Sequence, residues 1–178
     1  MDQQVAIRLA TLDDLPALQV LMDAAIGQLQ AAFLSPEEIE SSRAVMGLDR
    51  QLIADGSYFV AELGGELAGS GGWSFRATLY GGDHSIALRE PRRLDPASEA
   101  ARIRAMYTAP AFARRGVGRA ILEHCETAAR AAGFTRAELM GTLSGEPLYR
   151  AAGYEVIEEV LDPTGGAPVL FKRMGKAL

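Results

Sequence analysis

The chain has 178 residues, 48% of them hydrophobic and 23% charged, with a formal net charge of −5. That is enough for one domain, 1–178, since two halves would each lack a core. The acidic balance argues against a general nucleic-acid binder, which would be basic, yet permits an anionic small ligand where local charge and backbone dipoles favour it. A single cysteine, Cys125, excludes an intrachain disulfide. Met1-Asp2-Gln3-Gln4 has no basic stretch followed by an apolar run, so no signal peptide is expected. No segment approaches the ~20 apolar residues of a membrane helix. The expectation is a cytoplasmic protein with no membrane and no nucleic-acid partner.

Val5 to Leu9 reads as a short strand, after which Thr11 opens a helix with Asp14 at the N3 position of a cap. Leu15, Leu18, Met22 and Ile26 supply its buried stripe. A second helix starts at Ser35-Pro36, and its weak apolar face of Ile39, Val45 and Met46 suggests an exposed or mobile element. Leu52 and Ile53 belong to a short helical turn ended by Asp55-Gly56. Tyr58 to Leu63 reads as a strand, Gly64-Gly65 as a hairpin turn and Glu66 onward as the partner strand. Gly69, Gly71 and Gly72 inside that partner mark a bulge or a close backbone approach. Residues 76–98 form a long connection of the kind that often carries function. Ile103, Ala105 and Tyr107 alternate with Arg102 and Arg104 in a strand that Pro110 ends. A helix follows with Val117, Ile121, Cys125, Ala128 and Ala132 on one face and Gly133 as its stop. Then come a strand at 137–140, a short helix at 147–152 and a terminal pair of strands at 155–161 and 169–174, an α+β order.

The most informative stretch is Met106-Tyr107-Thr108-Ala109-Pro110-Ala111-Phe112-Ala113-Arg114-Arg115-Gly116-Val117-Gly118-Arg119-Ala120. A strand enters a tight loop and a helix starts directly after it. Gly116 and Gly118 keep side chains out of the way, so that loop and helix N–H groups can converge on a phosphate or pyrophosphate. Arg114, Arg115 and Arg119 add positive charge. A dinucleotide fingerprint lacks its third glycine, since residue 121 is Ile, and no Gly-Lys-Ser/Thr follows for a P-loop.

This stretch resembles the acyl-CoA-binding signature of the GNAT acetyltransferase superfamily, Gln/Arg-x-x-Gly-x-Gly/Ala. Gly116, Gly118 and the Arg-rich surround match, as does the strand end Thr108-Ala109-Pro110, while Ala113 stands where Gln or Arg usually opens the motif. About thirty residues on, Leu148-Tyr149-Arg150-Ala151-Ala152-Gly153-Tyr154 is similar to the family's Leu/Phe-Tyr-x-x-x-Gly-Phe/Tyr. The resemblance covers nearly the whole chain, with Gly72-Trp73 and residues 80–98 least constrained.

The resemblance implies the GNAT fold, a mixed and mostly antiparallel central sheet with splayed parallel strands, flanked by helices. It implies an N-acetyltransferase that passes an acetyl group from acetyl-CoA to a primary amine in a ternary complex, without a metal. The alternatives are a non-catalytic acyl-CoA-binding module and a transferase using another acyl-CoA. On the same basis the backbone of Met106, Tyr107 and Thr108 would hold the pantetheine arm, and the amides of Arg114, Arg115, Gly116, Val117, Gly118 and Arg119 the pyrophosphate. Thr142 falls near that arm, where many relatives carry Asn. Tyr149 takes the place of the general acid, whose partner is a thiolate with a conjugate acid pKa near 8.5. Arg102 stands where some members carry a glutamate base, and a guanidinium cannot be a base at neutral pH. It either attracts a substrate carboxylate or is a solvated strand residue. Glu99, Asp83, His84 and Glu90 are the base candidates from the nearby loop, with a water relay as the alternative. His84 and His124 show no metal-ligand spacing. Cys125 is expected to be buried and inert, and Trp73 to line the acceptor pocket or join the core. A small-molecule amine is favoured over a protein acceptor, the arginines of 76–104 hint at a carboxylate or phosphate on it, and a homodimer is plausible on family grounds.

Overall fold

The period-two segments become the strands of one sheet in a computed structural model that describes residues 4–178. The N-terminal reading of Met1 to Gln3 thus lies outside the described residues. In chain order the strands are β1 (Ala6–Leu9), β2 (Tyr58–Leu63), β3 (Glu66–Ser74), β4 (Ala101–Thr108), β5 (Arg136–Gly141), β6 (Glu155–Asp162) and β7 (Val169–Ala177). They lie side by side as β1-β2-β3-β4-β5-β7-β6, and only β4 and β5 run parallel. A parallel neighbour needs a crossover, here supplied by α4 (Val117–Ala131). The other helices are α1 (Leu15–Leu29), α2 (Pro36–Ser42), α3 (Arg50–Ala54) and α5 (Glu146–Ala151). Among the described residues no helix is long and apolar enough to cross a membrane.

Each face of the sheet has its own core. On one, Ile121, Leu122, Cys125 and Ala129 of α4 pack with Phe59, Trp73, Ile103 and Leu139. On the other, Leu18, Met22 and Ile26 of α1 pack with Leu52, Tyr58, Val60 and Tyr107. The strand glycines permit the first of these contacts. A Cβ at Gly69 would lie 2.7 Å from Val117, and one at Gly71 would lie 2.7 Å from Ile121 and collide with Met106. Trp73 belongs to this core, edge-on to Phe75 and Phe134, and does not line the cleft described below.

β4 departs from the regular alternation read from its sequence. Ser70 faces Tyr107 while Gly72 faces Arg104, so Ala105 and Met106 together oppose Gly71 in a β-bulge. Ala105 takes a left-handed φ of 49°, a conformation that costs a non-glycine residue ~1–2 kcal/mol. The extra residue shifts the period by one. Ile103 therefore faces α4, whereas Tyr107 faces α1, rather than both lying on one side. The buried Tyr58 hydroxyl donates to the Ala105 carbonyl at 2.8 Å and lies 2.8 Å from Ser70 Oγ.

A second difference concerns residues 36–46, read as exposed or mobile. Val45 is buried against Val169 and Phe171, and Ser41 donates to the Ala167 carbonyl at 2.5 Å. Long-range packing on the β6–β7 hairpin compensates for the weak amphipathicity of the segment. The connection 76–98 is likewise pinned, by an Arg76–Asp55 ion pair at 2.7 Å and a single bridge between Arg76 and Arg93.

Candidate active site

β4 and β5 pair only at Ala101–Ala137 and Arg102–Glu138. Beyond Arg102 they part, and the β4 edge facing β5 has no strand partner among the described residues. Such an edge offers backbone donors and acceptors to an extended ligand, as in strand addition. Arg102 sits at the base of the splay, where its Nη1 lies 3.3 Å from Glu138, the carboxylate that also pairs with Arg173 at 2.9 Å. It is a partly buried cross-strand ion pair rather than a solvated strand residue, because Glu138 lies directly opposite it on β5.

Past Thr108 the chain turns through Pro110–Phe112 into α4. Arg114 (φ 61°) and Gly116 (φ 81°) both take the left-handed conformation, Gly116 as the residue preceding the helix. The N–H groups from Arg114 to Arg119 donate to no carbonyl or side chain among the described residues. Successive amides of this kind, at the positive end of a helix dipole, form an anion-binding nest. A Cβ added at Gly116 would meet nothing within 4 Å, so the approach is open. At Gly118 a Cβ would lie 3.0 Å from Leu148 and 3.6 Å from Thr108 Oγ1, so this glycine keeps clear the space between the end of β4 and α5. The arginines stay at the surface: Arg115 lies over the Phe112 ring at 5.3 Å and Arg119 pairs with Glu123 at 3.0 Å. Unpaired amides beside a free strand edge fit a coenzyme that carries a pyrophosphate and an amide-bearing arm.

The splay opens a cleft of about 110 Å³ lined by β4 from Ile103 to Thr108, by Leu139 and Met140 of β5, and by Thr142, Ser144 and Tyr149. Its other walls come from α1, from Val45 and Met46, and from Leu79 to Gly81. The Tyr149 ring is held over two glycines: a Cβ at Gly145 would lie 2.9 Å from it and one at Gly141 3.3 Å. Its hydroxyl has no hydrogen-bond partner among the described residues and is not sealed in. Burial pushes the phenol well above its ordinary pKa, so it holds its proton at neutral pH. The same burial would raise the pKa of a thiol beside it, which preserves a match between the two. Thr142 lines the cleft, but its Oγ1 accepts from Gly145 N at 3.0 Å and so shapes the turn that carries Tyr149. The other tyrosine of that motif, Tyr154, leaves the cleft and donates to the buried Glu126 at 2.9 Å, where Lys176 also binds at 2.9 Å.

None of the loop candidates for a base lines the cleft. Glu99 is held down to about 2 by hydrogen bonds from Arg92 and from the Asp95 amide. Glu90 meets the same Arg92 at 3.0 Å, Asp83 accepts from Arg50 N at 2.9 Å, and His84 Nε2 lies 2.7 Å from the Arg43 carbonyl. His124 packs edge-on against Phe59. Burial drives the Cys125 thiol far above its usual pKa, so it stays protonated under the sheet.

Two features of the cleft wall escape a linear reading. Tyr80 donates to Asp162 at 2.5 Å, joining residues 82 positions apart. Arg104, only 3% exposed, reaches Asp49 and the Gly81 carbonyl at 2.7 Å each. Burial alone would raise the Asp49 carboxyl, but Arg89 and Arg104 outweigh it and hold the group below the ordinary range. The available signal was an arginine amid the apolar residues of a central strand, which demands a buried partner.

The family model described as Acetyltransferase (GNAT) family matches residues 22–154. No curated protein sequence matches the chain. Among solved structures, a GCN5-related N-acetyltransferase from Rhodopseudomonas palustris superposes with a TM-score of 0.72 at 21% identity, over 100% of this chain and 99% of its own. PaiA N-acetyltransferase from Thermoplasma acidophilum, in complex with coenzyme A, gives 0.64 at 16% identity over 98% and 99%. Ribosomal-protein-alanine N-acetyltransferase from Brucella melitensis gives 0.64 at 20% identity over 97% and 99%. At such identities the likeness is one of fold.

Proposed function

Since the chain belongs to the GNAT acetyltransferase family, we propose that it transfers an acetyl group from acetyl-CoA to the primary amine of a small molecule, by direct attack in a ternary complex. The observation that carries this reading is the run of unpaired amides from Arg114 to Arg119 beside a cleft whose far wall presents the free phenol of Tyr149. Gly118 links the two, since its missing side chain keeps open the space between Thr108 of the cleft and Leu148, the neighbour of Tyr149.

Bound there, acetyl-CoA supplies the acetyl group as an activated thioester. The amides of Arg114 to Arg119 bind the pyrophosphate, and the free edge of β4 at Met106 to Thr108 orients the pantetheine arm. A backbone N–H on that edge polarises the carbonyl under attack. Tyr149 gives its proton to the sulfur as the thiolate departs. Among the described residues no carboxylate or imidazole lines the cleft, so in this reading the proton of the amine leaves through water.

The test is a panel of primary amines with acetyl-CoA, read by the appearance of free CoA thiol. Turnover with at least one small amine is expected. Acetyl-CoA at 100 times its Kd should stabilise the protein by about 2.7 kcal/mol, and NADH should do far less. Tight binding of acetyl-CoA with no transfer across the panel would replace the enzyme with an acyl-CoA sensor.

A further inference from the structure

Arg104 is the only charged side chain that lines the cleft among the described residues. It projects from β4 beside the bulge, and its guanidinium serves three groups: Asp49 at 2.7 Å, the Gly81 carbonyl at 2.7 Å and the Thr78 carbonyl at 3.5 Å. All three are reached through Nη1 and Nη2. The Nε–H has no partner among the described residues, and Nε is not sealed from solvent. A guanidinium with a purely structural task in so buried a place would have each donor used.

The charges around it do not balance. Asp49, whose side chain is fully buried, is the sole carboxylate in contact with Arg104 among the described residues and is shared with Arg89 at 2.7 Å. Asp83, the next acid along this loop, binds the Arg50 amide and pairs with the Arg50 side chain at 3.8 Å. Arg89 and Arg104 thus share the single charge of Asp49, two positive charges against one negative, while the more exposed Arg50 and Asp83 offset each other. A buried positive charge without full compensation is costly, and a ligand that brings the missing anion recovers that cost. With about 110 Å³ of space, against the ~300–1,000 Å³ of sites for drug-sized molecules, the cleft suits a small anion.

We propose that the acceptor is a small amine that also carries a carboxylate, and that Arg104 binds this carboxylate through its free Nε–H. The inference rests on the acetyl-transfer reading and names its substrate class. The carboxylate is held on the β4 wall, which leaves the amine free to reach the thioester. Asp49 keeps Arg104 extended toward the cleft and Arg89 keeps the cluster positive.

The experiment compares matched pairs, each an amino acid and the amine that has hydrogen in place of its carboxylate. The carboxylate-bearing member should have the higher kcat/KM by about 10-fold or more, the scale of a hydrogen bond to a charged group, with most of the difference in KM. Arg104→Gln should abolish that preference, the carboxylate-bearing member losing at least about 10-fold more kcat/KM than its plain-amine partner. A structural role alone would lower both members of a pair together, and that result would overturn the proposal, as would equal use of both by the natural chain or a preference for matched phosphonates. Calorimetry of the same pairs on the coenzyme-loaded protein gives an answer independent of turnover. Tighter binding of the carboxylate member, lost in the variant, supports the proposal even if transfer itself fails, and equal binding sinks it. Should Arg104→Gln not fold, Arg89→Gln changes the cluster charge from a side chain outside the cleft. It should weaken the carboxylate preference, and an undiminished preference counts against the proposal.

Discussion

The two ends of the splay between β4 and β5 are built on different plans. At the mouth, the loop offers free main-chain amides from one contiguous stretch, Arg114 to Arg119. Deeper in, the cleft takes its walls from α1, the turn at 45–46, the loop at 79–81, β4 and the start of α5. A backbone site needs only the correct local conformation, so glycines and a strand-to-helix step are enough to announce it. A side-chain site needs several distant segments to arrive together, and each contributes a residue that looks ordinary alone. Under the proposed function the contrast divides the roles, with the coenzyme bound at the mouth and the acceptor chosen farther in.

Substitutions can break this division, and the largest effect should come at the mouth. Gly118→Trp would fill the space between Thr108 and Leu148. Losing two charge-assisted hydrogen bonds would weaken acetyl-CoA binding by about 10²–10⁴-fold. Calorimetry on a variant with an unchanged circular dichroism spectrum checks this, and unaltered affinity would remove the coenzyme from the loop. Next comes Tyr149→Phe, which keeps the ring in its slot over Gly141 and Gly145 but removes the proton. Turnover should fall by about 10²-fold with little change in coenzyme affinity, because the lost interaction belongs to the transition state. An equally fast enzyme would make solvent the acid. The smallest effect on function belongs to Arg102→Gln, two residues from Arg104 in sequence. Its ion pair with Glu138 is partly replaced by Arg173, so stability should drop by about 1 kcal/mol in denaturant titration while acceptor preference stays as it was. A changed preference would place Arg102 in the acceptor site and undo the distinction between the two arginines.

The legibility of the chain followed the same line. Helix starts with local chemistry were readable: the Ser35 cap of α2 accepts from Glu38 N at 3.1 Å, and Gly133 past the end of α4 has φ 94°. The glycines of β3 were read as a bulge or a close approach and are both, since α4 packs on Gly69 and Gly71 while the bulge of β4 lies opposite Gly71. The bulge itself was not legible on β4. Nothing in Arg-Ile-Arg-Ala-Met-Tyr requires an extra residue, and alanine rarely takes a left-handed φ. Placing Ile103 and Tyr107 on one face was the cost of missing it. The segment at 36–46 looked exposed because its apolar residues are few, yet the β6–β7 hairpin, more than a hundred residues on, covers Val45, and Ile39 and Met46 pack against the α1-side core.

By itself the sequence determined the family, the strand-to-helix step, the glycines of the loop that joins them and the place of Tyr149 in its motif. These rest on conformations set within a few residues of chain. Only the tertiary structure decided that Arg102 closes the sheet while Arg104 faces the cleft, that Trp73 is core, and that Tyr154 leaves the cleft to hold Glu126. The direction of a side chain on a bulged strand, and the charge that meets it, depend on segments brought together by burial, and spacing along the chain carries no record of that meeting.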